Sequence, residues 1–180
     1  TFSNIDVSNI NINNPVVYDC SSVSIAIYGN TKATIRNATT MRSGKHGIAL
    51  NDKTFDGKHI EVNIYGHTST DDWSSIDWSG RDDWTSDIGY SSACNLKSIN
   101  CYFSYKTASK WDLRLKDVLV KNCDHKGFWD NKAFDESIKH IENMTIENVK
   151  QSGLYLKGGC TEVKNVKIIN HPTYCLHDLL

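Results

Sequence analysis

Two prolines and eleven glycines in 180 residues are too few for a collagen-like or low-complexity chain. Charge of one sign is missing too. Twenty basic and 21 acidic residues leave a formal net charge of −1, which removes the electrostatic case for a nucleic-acid or anionic-membrane surface. No apolar run approaches the roughly 20 residues of a membrane-spanning helix, so no membrane insertion is expected. The six cysteines (Cys20, Cys94, Cys101, Cys123, Cys160 and Cys175) include no C-x-x-C pair and match no common zinc spacing. They are expected to be free and mostly buried, as in a protein assembled in a reducing compartment. No D-x-D-x-D-G calcium loop occurs, so neither a metal nor a cofactor is expected. Helix signals are scarce, with at most a turn at 107–111 and another at 135–140.

What the chain does have is a recurring grammar: apolar, any residue, apolar, any residue, Asn. It stands at 5–9 (IDVSN), 33–37 (ATIRN), 118–122 (VLVKN), 144–148 (MTIEN) and 166–170 (VKIIN). The alternation puts two side chains on one face of a short strand, and Asn, which tolerates the left-handed backbone region, ends it at a bend. A second short run often starts afterwards at Gly or Pro, as at Pro15, Gly47, Gly127 and Gly153. The steps from Asn9 to Asn37, Asn122 to Asn148 and Asn148 to Asn170 are 28, 26 and 22 residues, within the range of solenoid repeats. Further coils lacking the Asn are expected around 60–64, 96–103 and after Trp73. This predicts an all-β fold: a right-handed parallel β-helix of about seven coils filling residues 1–180 as one domain. A β-sandwich is the alternative, since its strands also recur regularly. In the solenoid, Val7, Ile35, Val120, Ile146 and Ile168 form one inward aliphatic stack, and Asn122, Asn148 and Asn170 form an amide ladder. The sequons at Asn37 and Asn143 read as coincidences of an Asn-rich solenoid. The chain opens at Thr1 inside an apparent coil and neither end carries an evident cap, so it reads as a segment of a longer protein.

One stretch, 68–90, departs from this grammar and reads as an inserted loop rich in Asp and Trp. It holds six aspartates, three tryptophans and one arginine, with a duplication in which 71–77 (DDWSSID) recurs as 82–88 (DDWTSDI). Solenoid insertions gather on one face, often the binding face. Trp73, Trp78 and Trp84 offer faces for sugar rings, while Arg81 and Asp87 offer hydrogen bonds to hydroxyls. Asp72, Asp77 and Asp83 are the candidate catalytic carboxylates, because a glycosidase needs two at a defined separation. The alternative is a solvated acidic loop whose Trp residues pack on the coil below. A smaller cluster at 124–130 (DHKGFWD) contributes His125, able to titrate near neutral pH, and Trp129. His46 and His171 stand in comparable positions after strands.

Segments such as 141–149 (IENMTIENV) followed by 152–156 (SGLYL) make the chain resemble the pectate-lyase-like parallel β-helix superfamily, and within it the coils of bacteriophage tailspike and pre-neck appendage proteins. The resemblance implies a virion tail location and a homotrimer. It also implies a partner, a host surface polysaccharide or teichoic-acid-like glycan that is bound and, in a depolymerase, cleaved. A secreted polysaccharide lyase or glycoside hydrolase is the alternative, and a structural trimer stem, with the 68–90 loop packed on a neighbouring subunit, is the third reading. The polygalacturonase motifs are not found in their family order: Asp71-Asp72 follows the 44–47 segment (GKHG), which departs from that pattern.

Overall fold

The computed structural model describes residues 9–28, 32–51, 61–78, 89–107, 111–130, 138–156, 160–170 and 174–177; of 51, 160, 161 and 174–177 it describes the backbone alone. Every element among them is a β-strand. One sheet is built from β1 (Ile10–Asn13), β4 (Lys32–Met41), β6 (Glu61–Thr70), β8 (Gly89–Ile99), β10 (Trp111–Lys121), β12 (Ile138–Glu147) and β14 (Cys160–Ile169), stacked in that order, with β2 (Val16–Tyr18) also pairing with β4. The second stacks β3 (Ile25–Tyr28), β5 (His46–Asn51), β7 (Ser74–Trp78), β9 (Phe103–Thr107), β11 (Lys126–Asp130), β13 (Ser152–Tyr155) and β15 (Tyr174–His177). All pairings are parallel and each strand meets its counterpart one turn away, which is a parallel β-solenoid and not a pair of antiparallel sheets. About five turns, those from β4–β5 to β12–β13, have a neighbour on both sides. The expected count of about seven is reached only with the end rungs, each stacked on one side.

The long strands bend twice, and this corrects the single-bend reading. Asn37, Gly66, Asn95, Asp117, Asn143 and Asn165 all have positive φ and align in the middle of the long strands. Asp19, Arg42, Asp71, Asn100, Asn122, Asn148 and Asn170 form a second positive-φ column at the strand ends. Asn and Asp are tolerated there because their short polar side chains make local hydrogen bonds in the left-handed region. The sequence grammar matches both bends, so Asn37 belongs to one column and Asn122, Asn148 and Asn170 to the other. The expected aliphatic stack divides in the same way. Ile35 pairs with Ile64 and, further up the stack, Ala93, Leu115 and Ile141, whereas Val120 stacks between Ser98 and Ile146, followed by Ile168. Ile35, Val120 and Ile146 are fully buried and Ile168 packs against their cluster; Val7 lies outside the described residues.

Both bends carry amide ladders. Asn148 Nδ2 donates to Asn122 Oδ1 (2.9 Å) and Asn122 Nδ2 to Asn100 Oδ1 (3.1 Å). In the other column Asn165 donates to Asn143 (3.1 Å) and Asn143 to Asp117 (3.0 Å). Glycine opens the short strands for a steric reason. A Cβ on Gly127 would lie 2.5 Å from the Gly153 carbonyl oxygen and 3.2 Å from Ile146 Cγ2.

Thr107 ends β9 and Trp111 starts β10, while Ile138, Lys139 and His140 start β12, so these residues are strand; the rest of the two expected turns, 108–110 and 135–137, lies outside the described residues. Of the 68–90 stretch, 68–70, 74–78 and 89–90 are strand and 79–88 lies outside the described residues. β6 runs to Thr70, β7 occupies Ser74–Trp78 and β8 starts at Gly89. The first copy of the apparent duplication is thus an ordinary bend and strand, and the second, 82–88, lies outside the described residues. Among the cysteines with described side chains, Cys20, Cys94, Cys101 and Cys123 are free, and the last two are buried. Burial pushes the Cys123 thiol up to about 11.

Candidate functional site

Alternation within β7 sorts the predicted site residues. Ile76 points into the core, so Trp78 does too, and Asp77 between them points outward. Trp78 is 0% exposed and packs on Tyr105 with ring centroids 6.3 Å apart, which leaves it no face for a sugar. Asp72 is 1% exposed and turned inward at the strand-end bend. Its Oδ2 accepts from the Thr40 and Ser69 hydroxyls (both 2.6 Å) and its Oδ1 from the Ser43 amide (2.7 Å). With Thr40 donating to Asp72, the His67 Nε2–H is left to donate to Thr40 Oγ1 (2.9 Å). Burial holds His67 well below its ordinary value, at about 4, so this imidazole is neutral at physiological pH. Asp72 and Trp78 are thereby committed to the interior. Arg81, Asp83, Trp84 and Asp87 lie outside the described residues.

The four remaining predicted residues, Trp73, Asp77, His125 and Trp129, come together on the outer face of the short-strand sheet. Register does this. Asp77 pairs with Lys106 and Ala49, and Trp129 with Lys106 and Tyr155, so these side chains form one outward column. The bend residues before each short strand form another: the Trp73 amide bonds to Ser43 and the Tyr102 amide to Asp72, which sets Tyr102 above Trp73 and Trp73 above Gly44.

The result is an aromatic strip along the solenoid axis. Trp73 stacks on Tyr102 (6.0 Å, 21° between planes) and meets Phe103 edge-on at 5.1 Å. Phe103 stacks on Trp129 (5.0 Å, 17°), and His125 packs against both Tyr102 and Phe103. Phe103 is nearly buried, whereas Trp73 is 40% and Tyr102 41% exposed. Gly44, which has no side chain, occupies the register position one rung before Trp73. His46 reaches only its edge (5.5 Å, 66°).

Charges thread the same strip. Asp77, 5% exposed, has Oδ2 3.2 Å from His46 Nε2 and 3.7 Å from Lys106 Nζ. Burial lowers the His46 pKa; Asp77 opposes that shift, and Lys106 and Lys45 reinforce it. Lys106 lies 5.6 Å from the Trp129 ring centre. Lys126 lies between two rings, 4.3 Å from Trp129 and 4.5 Å from Tyr155. His125 is likewise lowered, by burial and then by Lys126. Among the described residues no three His, Cys, Asp or Glu side chains gather to hold a metal ion.

Sequence reasoning missed His46 as a partner of Asp77, and also Tyr102, Phe103, Lys106, Lys126 and Tyr155. Their membership depends on register between rungs roughly 20 to 30 residues apart, which no local motif encodes. No protein-family model matches the chain, and no curated protein or solved structure matches it either.

Proposed function

We propose that this β-solenoid binds a polysaccharide along the outer face of its short-strand sheet. The observation that carries this is Trp73, 40% exposed and stacked on Tyr102, with Gly44 at the register position one rung before it. An indole face presented on a rigid rung suits the apolar face of a sugar ring, and Asp77, Lys106 and His46 beside it suit hydroxyls. The rigid placement matters, because affinity is gained when little is ordered on binding. The wider setting, a homotrimeric phage tail appendage facing a host surface glycan, or otherwise a secreted lyase or hydrolase, rests on the resemblance of the coil grammar.

Of the three carboxylates read as catalytic, Asp77 is the one beside the described strip, 5% exposed and next to His46 and Lys106. A depolymerase reading therefore centres on Asp77, with any second carboxylate to be found at the separation its chemistry needs, about 5–10 Å. Trp73→Ala is expected to weaken glycan binding by about 1–3 kcal/mol, by analogy with base stacking on aromatic side chains. Tyr65→Ala, on the outer face of the long-strand sheet, serves as control. Asp77→Asn separates the activities: a depolymerase loses turnover and keeps affinity, whereas a binding module has no turnover to lose. Equal glycan retention by wild type, Trp73→Ala and Tyr65→Ala in affinity electrophoresis would remove the strip from consideration.

A further inference from the structure

We infer that Lys139 and Asp130 condense into an amide, a covalent stitch inside the solenoid that is independent of what the outer strip binds. Phe128 and Ile141 belong to the core, so by alternation Asp130 at the end of β11 and Lys139 near the start of β12 point inward too. Each is 1% exposed, and Lys139 Nζ lies 2.9 Å from Asp130 Oδ2. Register sets Leu113 one rung from Lys139 and Thr107 one rung from Asp130, both fully buried. The surface pairs Lys32–Glu61, Lys116–Glu142 and Lys150–Asp124 are open to water on both members, and this pair is not. Lys139 is also poorly satisfied. An ammonium has three N–H donors, yet Nζ makes no aligned hydrogen bond to any described group, Asp130 included.

A buried ion pair without further hydrogen bonds recovers little of the hydration it lost. Passing a proton from Nζ to Oδ2 removes both charges and leaves an amine lone pair facing a carboxylic acid. Condensation then follows without any co-reactant. A bond forms between Nζ and Cγ, the bond from Cγ to Oδ2 breaks, and the Oδ2 hydroxyl leaves as water with one amine proton. Oδ1 becomes the amide oxygen. While negative charge gathers on Oδ1, the Thr107 hydroxyl is the donor at hand: it is buried, one rung away and without a partner. Holding both groups in one place turns a bimolecular condensation into a unimolecular one, and the dry surroundings keep water from reversing it. The product closes residues 131–138 into a ring and, like any cross-link, restricts the unfolded chain.

The experiment is the intact mass of the folded full chain, measured after denaturation and reduction. The wild type is expected to weigh one water less than its sequence, and proteolysis should release a branched peptide joining 130 to 139. Lys139→Arg, which keeps a cation beside Asp130, should retain the full mass. Asp130→Asn should lose ammonia in place of water, since its leaving group is an amine. A backbone succinimide at an aspartate also sheds one water, but hydroxylamine opens it and leaves a side-chain amide intact. A wild-type mass equal to that of the sequence overturns the inference and leaves an ion pair only. So does a loss of water that hydroxylamine reverses, or one that persists in Lys139→Arg or Asp130→Asn. None of these results bears on glycan binding by the outer strip, so the two readings stand or fall separately.

Discussion

The two ends of this solenoid fill the same inward column with different material. After the mid-strand bend, Val120, Ile146 and Ile168 stack in register in β10, β12 and β14, while Thr40, Ser69 and Ser98 hold the equivalent positions in β4, β6 and β8. The next inward column repeats the contrast, with Cys101, Cys123 and Val149 on one side and Ser43 and Asp72 on the other, all buried. Strand pairing continues unbroken across the change, because the backbone bonds between rungs do not depend on what fills the interior. The difference teaches that an inward column tolerates polar groups as well as apolar ones: Thr40 and Ser69 are held by hydrogen bonds, whereas the Ser98 hydroxyl is buried without one. In the polar half one carboxylate does most of this, collecting three donors. Gly47 makes room for it: a Cβ there would lie 2.8 Å from Asp72 Oδ2 and clash with Thr40 Oγ1.

The comparison breaks most readily at that carboxylate. Asp72→Ala strands the Thr40 and Ser69 hydroxyls and the Ser43 amide inside the solenoid, and should cost about 3–5 kcal/mol, each stranded donor contributing part of it. Urea denaturation checks this, and a loss below about 1 kcal/mol would show that the polar half is held by its backbone alone. Acid is a second way in. His67 has a folded-state pKa of about 4 against an ordinary 6.5, so folding opposes its protonation. Its contribution is fully present above about pH 6.5 and is lost as pH falls toward 4, on the order of 3 kcal/mol across that window. His46 and His125 are shifted in the same direction, so the test is a difference: His67→Asn should flatten the stability–pH slope by about one proton relative to wild type. An unchanged slope would mean that His67 is protonated in the folded state.

The aliphatic half responds differently. Ile146→Ala removes apolar volume and strands no donor, so a cost of about 2–4 kcal/mol is expected, insensitive to pH. A pH-dependent loss there would mean that the two halves are coupled and not separate materials.

How much of this was legible follows from the same contrast. The aliphatic half announces itself, since apolar alternation ending in Asn is a local pattern that Val118, Val120 and Asn122 carry without help. Thr40, Ser69 and Ser98 obey the same alternation, yet read as surface residues because polarity is the usual sign of exposure. Lys139 and Asp130, 2.9 Å apart and both 1% exposed, conceal themselves in the same way. Asp72 was singled out by its residue type and misplaced, because its inward turn is set by Asp71 at positive φ just before it. Trp78 could have been placed by parity with Ile76. The outer strip needed rung-to-rung register, which turns of unequal length hide from a linear reading.

The smallest expected effect lies at the bends. Asn148→Gly removes one amide from the ladder and keeps a residue at ease at a φ of 56°. The chain already carries this change at an equivalent bend: Gly66, at a φ of 82°, stands opposite Asn37 in the mid-strand column, and β4, β6 and β8 pair across it without a break. A loss of about 0.5–1.5 kcal/mol is therefore expected from the missing hydrogen bond. Asn148→Ala should cost more than Asn148→Gly although it too lacks the amide, because alanine resists the left-handed region by about 1–2 kcal/mol. Urea midpoints for the two variants separate the amide ladder from the backbone bend. If alanine proves no worse than glycine, side-chain amides and not backbone geometry govern these corners, and the aliphatic half depends on hydrogen bonds as much as the polar half does.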